Sequence, residues 1–169
     1  MKKDRIKLVE QLKHPLFFPN EGVGELPVGA SLSSAPFFIY ELSGTEQPWL
    51  SEEKGLPLIK EEWPRLKEQL ERKFQQRDRE VHNEAKAMIA LFLMNLFWSN
   101  GQPVQLHDWK QRIRELSIKP VNVEERLEFI FKRPYSYHSY MQVSELMIEQ
   151  EKQTAKYLAI KKKNKKDGL

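Results

Sequence analysis

Residues 77–82 read Arg-Asp-Arg-Glu-Val-His, and this is the stretch whose residue types and spacing come nearest to catalysis. A histidine at position 82 can serve as general base or acid towards a ribose 2′-hydroxyl, while Arg77 neutralises a phosphate and Asp78 supplies a polar neighbour. The competing reading is a solvated helix turn carrying charges at i, i+4. Arg133 and His138 repeat the spacing, so chance matches in an arginine-rich chain are expected.

The four histidines, at 14, 82, 107 and 138, form neither a His-x-x-x-His pair nor the Glu-x-x-His pairs of a carboxylate-bridged metal bundle. No metal site is expected. No phosphate-binding glycine loop, nucleophile elbow or dinucleotide fingerprint is present, so no cofactor is expected either. Aromatic and basic residues interleave at Arg133, Tyr135, Tyr137, His138 and Tyr140. Such rings can stack bases beside a phosphate-holding arginine. They can equally staple the start of a helix to the core, each hydroxyl reaching the surface. A groove beside Arg133, Tyr135, Tyr137 and Tyr140 is the candidate binding surface, with a protein as its expected partner. Lys161, Lys162, Lys163, Lys165 and Lys166 form a like-charge run that could attract nucleic acid non-specifically or, as readily, an anionic membrane surface.

The elements that position these groups follow from periodicity. From Ala87 to Trp98 every residue but Asn95 is apolar. A helix with no polar face must be enclosed by protein, and this one is well short of the roughly 18 to 20 apolar residues that cross a bilayer. It is expected to be the central core helix. Ile59, Trp63, Leu66, Leu70 and Phe74 recur at spacings of four, three, four and four, placing them on one stripe of a preceding helix. Pro64 fits only a first turn, so that helix is predicted to begin about Trp63. The stripe continues through Val81, Ala85, Met88, Phe92 and Leu96, so one long bent helix and two helices broken near Asp78 fit equally. Asn100-Gly101-Gln102-Pro103 is a strong stop.

On the N-terminal side, Ile6, Val9 and Leu12 predict a short amphipathic helix over 4–14, stopped by Pro15. Between 15 and 57 glycines and prolines alternate, with apolar anchors at Leu16-Phe17-Phe18, Phe37-Phe38-Ile39-Tyr40 and Trp49-Leu50. This predicts an ordered segment laid across the helices, with a short strand at 37–41. On the C-terminal side Leu106, Trp109, Ile113 and Leu116 mark one short helix. Asn122 with Glu125 caps a second that carries Val123, Leu127 and Ile130. Ser139 opens a last long helix with Tyr140, Met147 and Leu158 on one stripe.

The sum is a single all-α domain, residues 1–160, of about six helices around one buried central helix, followed by a disordered basic tail, 161–169. Its 169 residues suit one core, and 28 basic against 24 acidic residues exclude a uniformly basic nucleic-acid coat. With no cysteine and no apolar segment after the charged N-terminus, cytoplasmic placement is expected.

Two resemblances bear on function. Arg77, Asp78 and His82 resemble the motif of the HEPN superfamily, helical proteins many of which are metal-independent ribonucleases. That likeness implies a nuclease alternative with those residues as its catalytic set. Phe17-Phe18, Pro36-Phe37-Phe38-Ile39-Tyr40, the helix ending Asn95-Leu-Phe-Trp-Ser-Asn-Gly-Gln-Pro103 and Arg133-Pro-Tyr-Ser-Tyr137 resemble the YpoC-like family of small bacillary proteins. This likeness covers most of the chain except the lysine tail. It implies a bacterial cytoplasmic protein and donates no active site. The leading reading is therefore a non-enzymatic interaction protein, with nucleic-acid association as the alternative.

Overall fold

The computed structural model describes residues 5–6, 9–18, 24–25, 31–166 and 168. Among them are six helices: α1 (Ile39–Ser43), α2 (Glu52–Gln75), α3 (His82–Trp98), α4 (Trp109–Arg114), α5 (Val123–Lys132) and α6 (Tyr137–Lys166). Two 3-10 turns, Glu10–Leu12 and Pro48–Leu50, and a two-residue antiparallel ladder of β1 (Arg5–Ile6) with β2 (Gly24–Glu25) complete the described elements. The architecture is all-α.

Its organising member is α3. Every side chain from Ala87 to Trp98 is buried, none more than 4 % exposed. α2, α6 and the Pro48–Leu50 turn pack directly against it. At roughly 1.5–3 kcal/mol for each large apolar side chain withdrawn from water, this helix is the largest concentration of hydrophobic stabilisation in the fold. Gly101, at φ 71°, ends it. The Gly101 N–H donates to the Trp98 carbonyl and the Gln102 N–H to that of Phe97, so a left-handed glycine closes the last turn as the sequence predicts.

Of the two readings left open around Asp78, the break is the one observed. α2 ends at Gln75, Arg77 takes a left-handed φ of 55°, and α3 starts at His82. The predicted start of α2 is corrected, because the helix begins eleven residues before Trp63 and contains both Pro57 and Pro64. A proline deprives the carbonyl four residues earlier of its donor. Here Pro57, Pro64 and the donor-less Glu53 and Lys60 are all exposed, so water can serve those carbonyls. Two prolines seven residues apart stay on one outer face.

Four further expectations are corrected. Residues 9–14 hold a 3-10 turn instead of a helix: Pro15 cannot donate to the Gln11 carbonyl, which takes the N–H groups of Leu106 and His107 instead. Phe37–Glu41 is not a strand. Phe38, at φ 63°, turns the chain into α1, and Gly44 ends that helix. α6 is capped by Ser136, whose hydroxyl accepts the Ser139 N–H, while the Ser139 hydroxyl donates to the Arg133 carbonyl. Lastly, the lysines expected in a disordered tail are helical through Lys166. Each like-charge i, i+4 pair costs only ~0.2–0.5 kcal/mol, too little to stop an established helix before a breaker such as Gly168.

The segment before α2 does cover the helices. Phe17, Phe37, Phe38 and Trp49 are buried, although Leu50 is 70 % exposed and anchors nothing. Pro19, Gly22, Pro27 and Gly29 lie outside the described residues. Gly55 marks the tightest approach. A Cβ there would stand 2.5 Å from the Pro48 carbonyl oxygen and 3.3 Å from the Trp98 ring. Gly55→Ala is therefore expected to destabilise the fold by ~1–2 kcal/mol despite alanine's better helix propensity, read as a lower denaturant midpoint at unchanged slope.

Candidate functional site

The α2–α3 turn holds the residues with catalytic spacing. Its backbone is closed by the Asp78 N–H donating to the Lys73 carbonyl, and the Asp78 carboxylate accepts the Glu80 N–H at 2.9 Å. Asp78 is thereby a turn-forming group. Lys73 clamps the far side, its ammonium 2.8 Å from the Glu80 carbonyl and 2.7 Å from Glu84 Oε1, and this carboxylate raises the lysine pKa. Arg77 and His82 are exposed, and no hydrogen bond or ion pair joins them among the described residues. His82 stacks on Tyr135, ring centroids 3.7 Å apart and nearly parallel, with the Lys86 ammonium 6.0 Å from the Tyr135 ring. Its imidazole face is occupied by a neighbour.

The tyrosine-rich entry to α6 is spread over two environments. Tyr137, half exposed, and the buried Tyr140 each lie about 5.5 Å from Phe74, tying α2's last turn to α6's first. Burial, helped by nearby Glu71, pushes the Tyr140 hydroxyl up to about 12. Arg133 contributes its carbonyl, which accepts from the Ser136 and Ser139 hydroxyls. Only Tyr137 and part of Tyr135 present ring surface outward.

Three buried polar groups stand out, two of which, Glu41 and Gln150, sequence reasoning missed. Glu41 is 7 % exposed, and its Oε2 accepts the Trp98 indole N–H at 2.8 Å and the Val104 N–H at 3.0 Å. Burial raises its pKa, an effect only partly offset by those two donors. Gln150, wholly buried, donates to Ser99 Oγ at 2.6 Å and to the Ile118 carbonyl at 3.1 Å. Asn95, the lone polar residue of the apolar run, donates to Met147 Sδ. Nothing in local spacing flags Glu41 or Gln150, since their partners lie 32 to 63 residues away in the chain.

A groove of about 610 Å³ opens between residues 13–16, residues 106–108, α4 and α5. His14, Trp109 and Phe131 form its aromatic wall, and Lys110 with Glu128 its charged rim. Burial drives His14 down to about 4, so it is neutral at pH 7. Among the described residues no group of three or more His, Asp or Glu could hold a metal ion.

Then there is the far end of α6. Leu146, Gln150 and Tyr157 share one stripe, at spacings of four and seven; the first two are fully buried, whereas Tyr157 is 43 % and Ile160 52 % exposed. The helix outruns the core, held at its rim by Lys161, 3.3 Å from Glu52.

The model of the YpoC-like protein family matches residues 53–162. The chain belongs to the YpoC-like family. A curated relative, "Uncharacterized protein YpoC" of Bacillus subtilis (strain 168), is 40 % identical over 126 residues, which is 73 % of this chain and 76 % of the relative. No solved structure matches the chain significantly. The YpoC-like match runs from the first turn of α2 nearly to the end of α6. It takes in the Asn95, Ser99 and Gln150 seam and leaves Glu41 and His14 outside. Among the described residues no helix is long and apolar enough to cross a membrane.

Glu41 makes a titration prediction. Its carboxyl is uncharged in both states below the unfolded value near 4.5; above that, only the unfolded chain ionises freely until the raised folded pKa is reached. The stability of the native chain relative to Glu41→Gln should therefore fall as pH rises from 4.5 and level off above the folded pKa. Paired chemical denaturation across that range measures it.

Proposed function

We propose that this YpoC-like chain is a cytoplasmic, non-enzymatic protein-interaction module that docks a partner on the overhanging end of α6. The observation that carries this reading is the continuation of a core-facing stripe past the core: burial is complete at Gln150, 6 % of Thr154 is exposed, and Tyr157 and Ile160 are 43 % and 52 % exposed. Tyrosine and isoleucine on a helix with no floor beneath them lose apolar contact that a partner can restore. From Lys152 to Lys166 the helix carries seven lysines and no acidic residue, so the complementary surface is acidic.

The ribonuclease alternative draws no support from the α2–α3 turn, where Asp78 is spent on the backbone and His82 is stacked against Tyr135. Nucleic-acid association keeps one supporting observation, the helical array of Lys161, Lys162, Lys163, Lys165 and Lys166.

A photo-crosslinking residue placed at 157 or 160 tests the proposal in the parent cell. Capture of one protein species from both positions, and not from a control at Lys67, is expected. Crosslinking to RNA or DNA instead would transfer the function to the nucleic-acid reading, and absence of any adduct would overturn both. Tyr157→Ala with Ile160→Ala should abolish the adduct formed from a probe at 156 while shifting thermal stability little, because both side chains are exposed.

A further inference from the structure

Asn95 interrupts an otherwise unbroken apolar run, and it lines a pocket of about 120 Å³ between α2, α3 and α6. Only 4 % of this residue is exposed. Its Nδ2 donates to Met147 Sδ, whereas its Oδ1 accepts no hydrogen bond among the described residues. A buried amide left half-satisfied is costly in a hydrocarbon core unless something in the pocket donates to it. Thr154, 6 % exposed, lines the same pocket from α6. Its hydroxyl oxygen lies 3.5 Å from the donating Gln150 Nε2, and its own O–H meets no acceptor among the described residues. The deep part of the pocket therefore offers one unused acceptor and one unused donor.

Two side chains of opposite charge line the same space from different helices, Lys60 on α2 and Glu151 on α6. Neither has an ion pair or hydrogen bond among the described residues. Lys161 of α6 does reach Glu52 of α2 at 3.3 Å, so the two helices run close enough for such a bond. Lys60 and Glu151 nonetheless stay apart across the pocket. We infer that the pocket holds a small α-amino acid as its zwitterion. The ammonium donates to Asn95 Oδ1 and faces Glu151, while the carboxylate accepts from the Thr154 hydroxyl and faces Lys60. Each end thus meets one deep neutral group and one charge nearer solvent, and hydrogen bonds to ionised groups are the stronger kind. Leu56 and Leu158 supply the apolar wall for Cα and Cβ. At ~30 Å³ per water the space equals about four waters, which suits glycine, alanine or serine and excludes a long side chain. The site is separate from the docking end at Tyr157 and Ile160, and stands whether or not that reading holds.

Titration of the full chain, followed by amide chemical shifts, tests this. Glycine, L-alanine and L-serine should each move the Thr154 and Ala155 resonances saturably. Ethylamine and propionate, each lacking one end, and L-leucine, too long for the space, should bind at least about tenfold more weakly than alanine. Thr154→Val and Lys60→Met should each weaken alanine binding at least about tenfold, and Asn95→Leu should abolish it by removing the deep acceptor. Should Asn95→Leu misfold, the other two variants carry the test, since one keeps the side chain's shape and the other is made at an exposed position. No saturable shift with any of the three amino acids at millimolar concentration overturns the assignment and leaves the pocket to water. So does ethylamine, propionate or leucine matching alanine, or alanine binding indifferent to both Thr154→Val and Lys60→Met.

Discussion

A helix without a polar face cannot have a solvent side, and the architecture of this protein is the set of coverings that α3 requires. α2 and α6 take two flanks, the Pro48–Leu50 turn takes another, and the aromatic residues of the N-terminal segment close what is left. This explains why a stretch so rich in proline and glycine is nonetheless packed: Phe17, Phe37, Phe38 and Trp49 are buried within the same core cluster that α3 anchors. The close passage at Gly55 and the buried carboxylate of Glu41 both arise where that covering meets the end of α3 at Trp98.

Complete enclosure also determines where recognition can occur. In a core formed almost wholly of aliphatic and aromatic side chains the few polar members bond inward, Gln150 to Ser99 and the Ile118 carbonyl, Asn95 to Met147, and Glu41 to the Trp98 indole and the Val104 N–H. Surface chemistry is then left to what the helices show outside, and α6, the longest of them, shows most. Its core-facing row runs on past the end of the core.

What could be read from the chain alone follows range. Patterns decided within a few turns were legible: the apolar run of α3, the stripe Ile59–Leu66–Leu70, the glycine stop at Gly101, the α5 span. Asn122 does occupy the cap position of α5, but in a left-handed conformation and without a side-chain bond, so its role there is backbone geometry. The failures came where a distant group overrode local preference. Gln11 gave its carbonyl to Leu106 and His107, Phe38 turned the chain so that Glu41 could reach Trp98, and two prolines persisted inside α2 because their face is wet. The tyrosine cluster was legible as a group and ambiguous in role, since the spacing of Tyr135, Tyr137 and Tyr140 is the same whether rings are buried or offered. Tyr140 proves to be buried and Tyr135 to be stacked on a histidine 53 positions earlier in the chain, a proximity no local window contains.

The amide of Gln150 acts as a ruler. Sliding α6 by one residue along its axis would carry that amide away from Ser99 Oγ and the Ile118 carbonyl and leave it stranded among hydrocarbon, so the helix can seat at a single depth. The length of helix projecting beyond the body is thereby metered from inside, by a hydrogen bond made two turns earlier, and whatever grips the projecting end meets it at a constant reach.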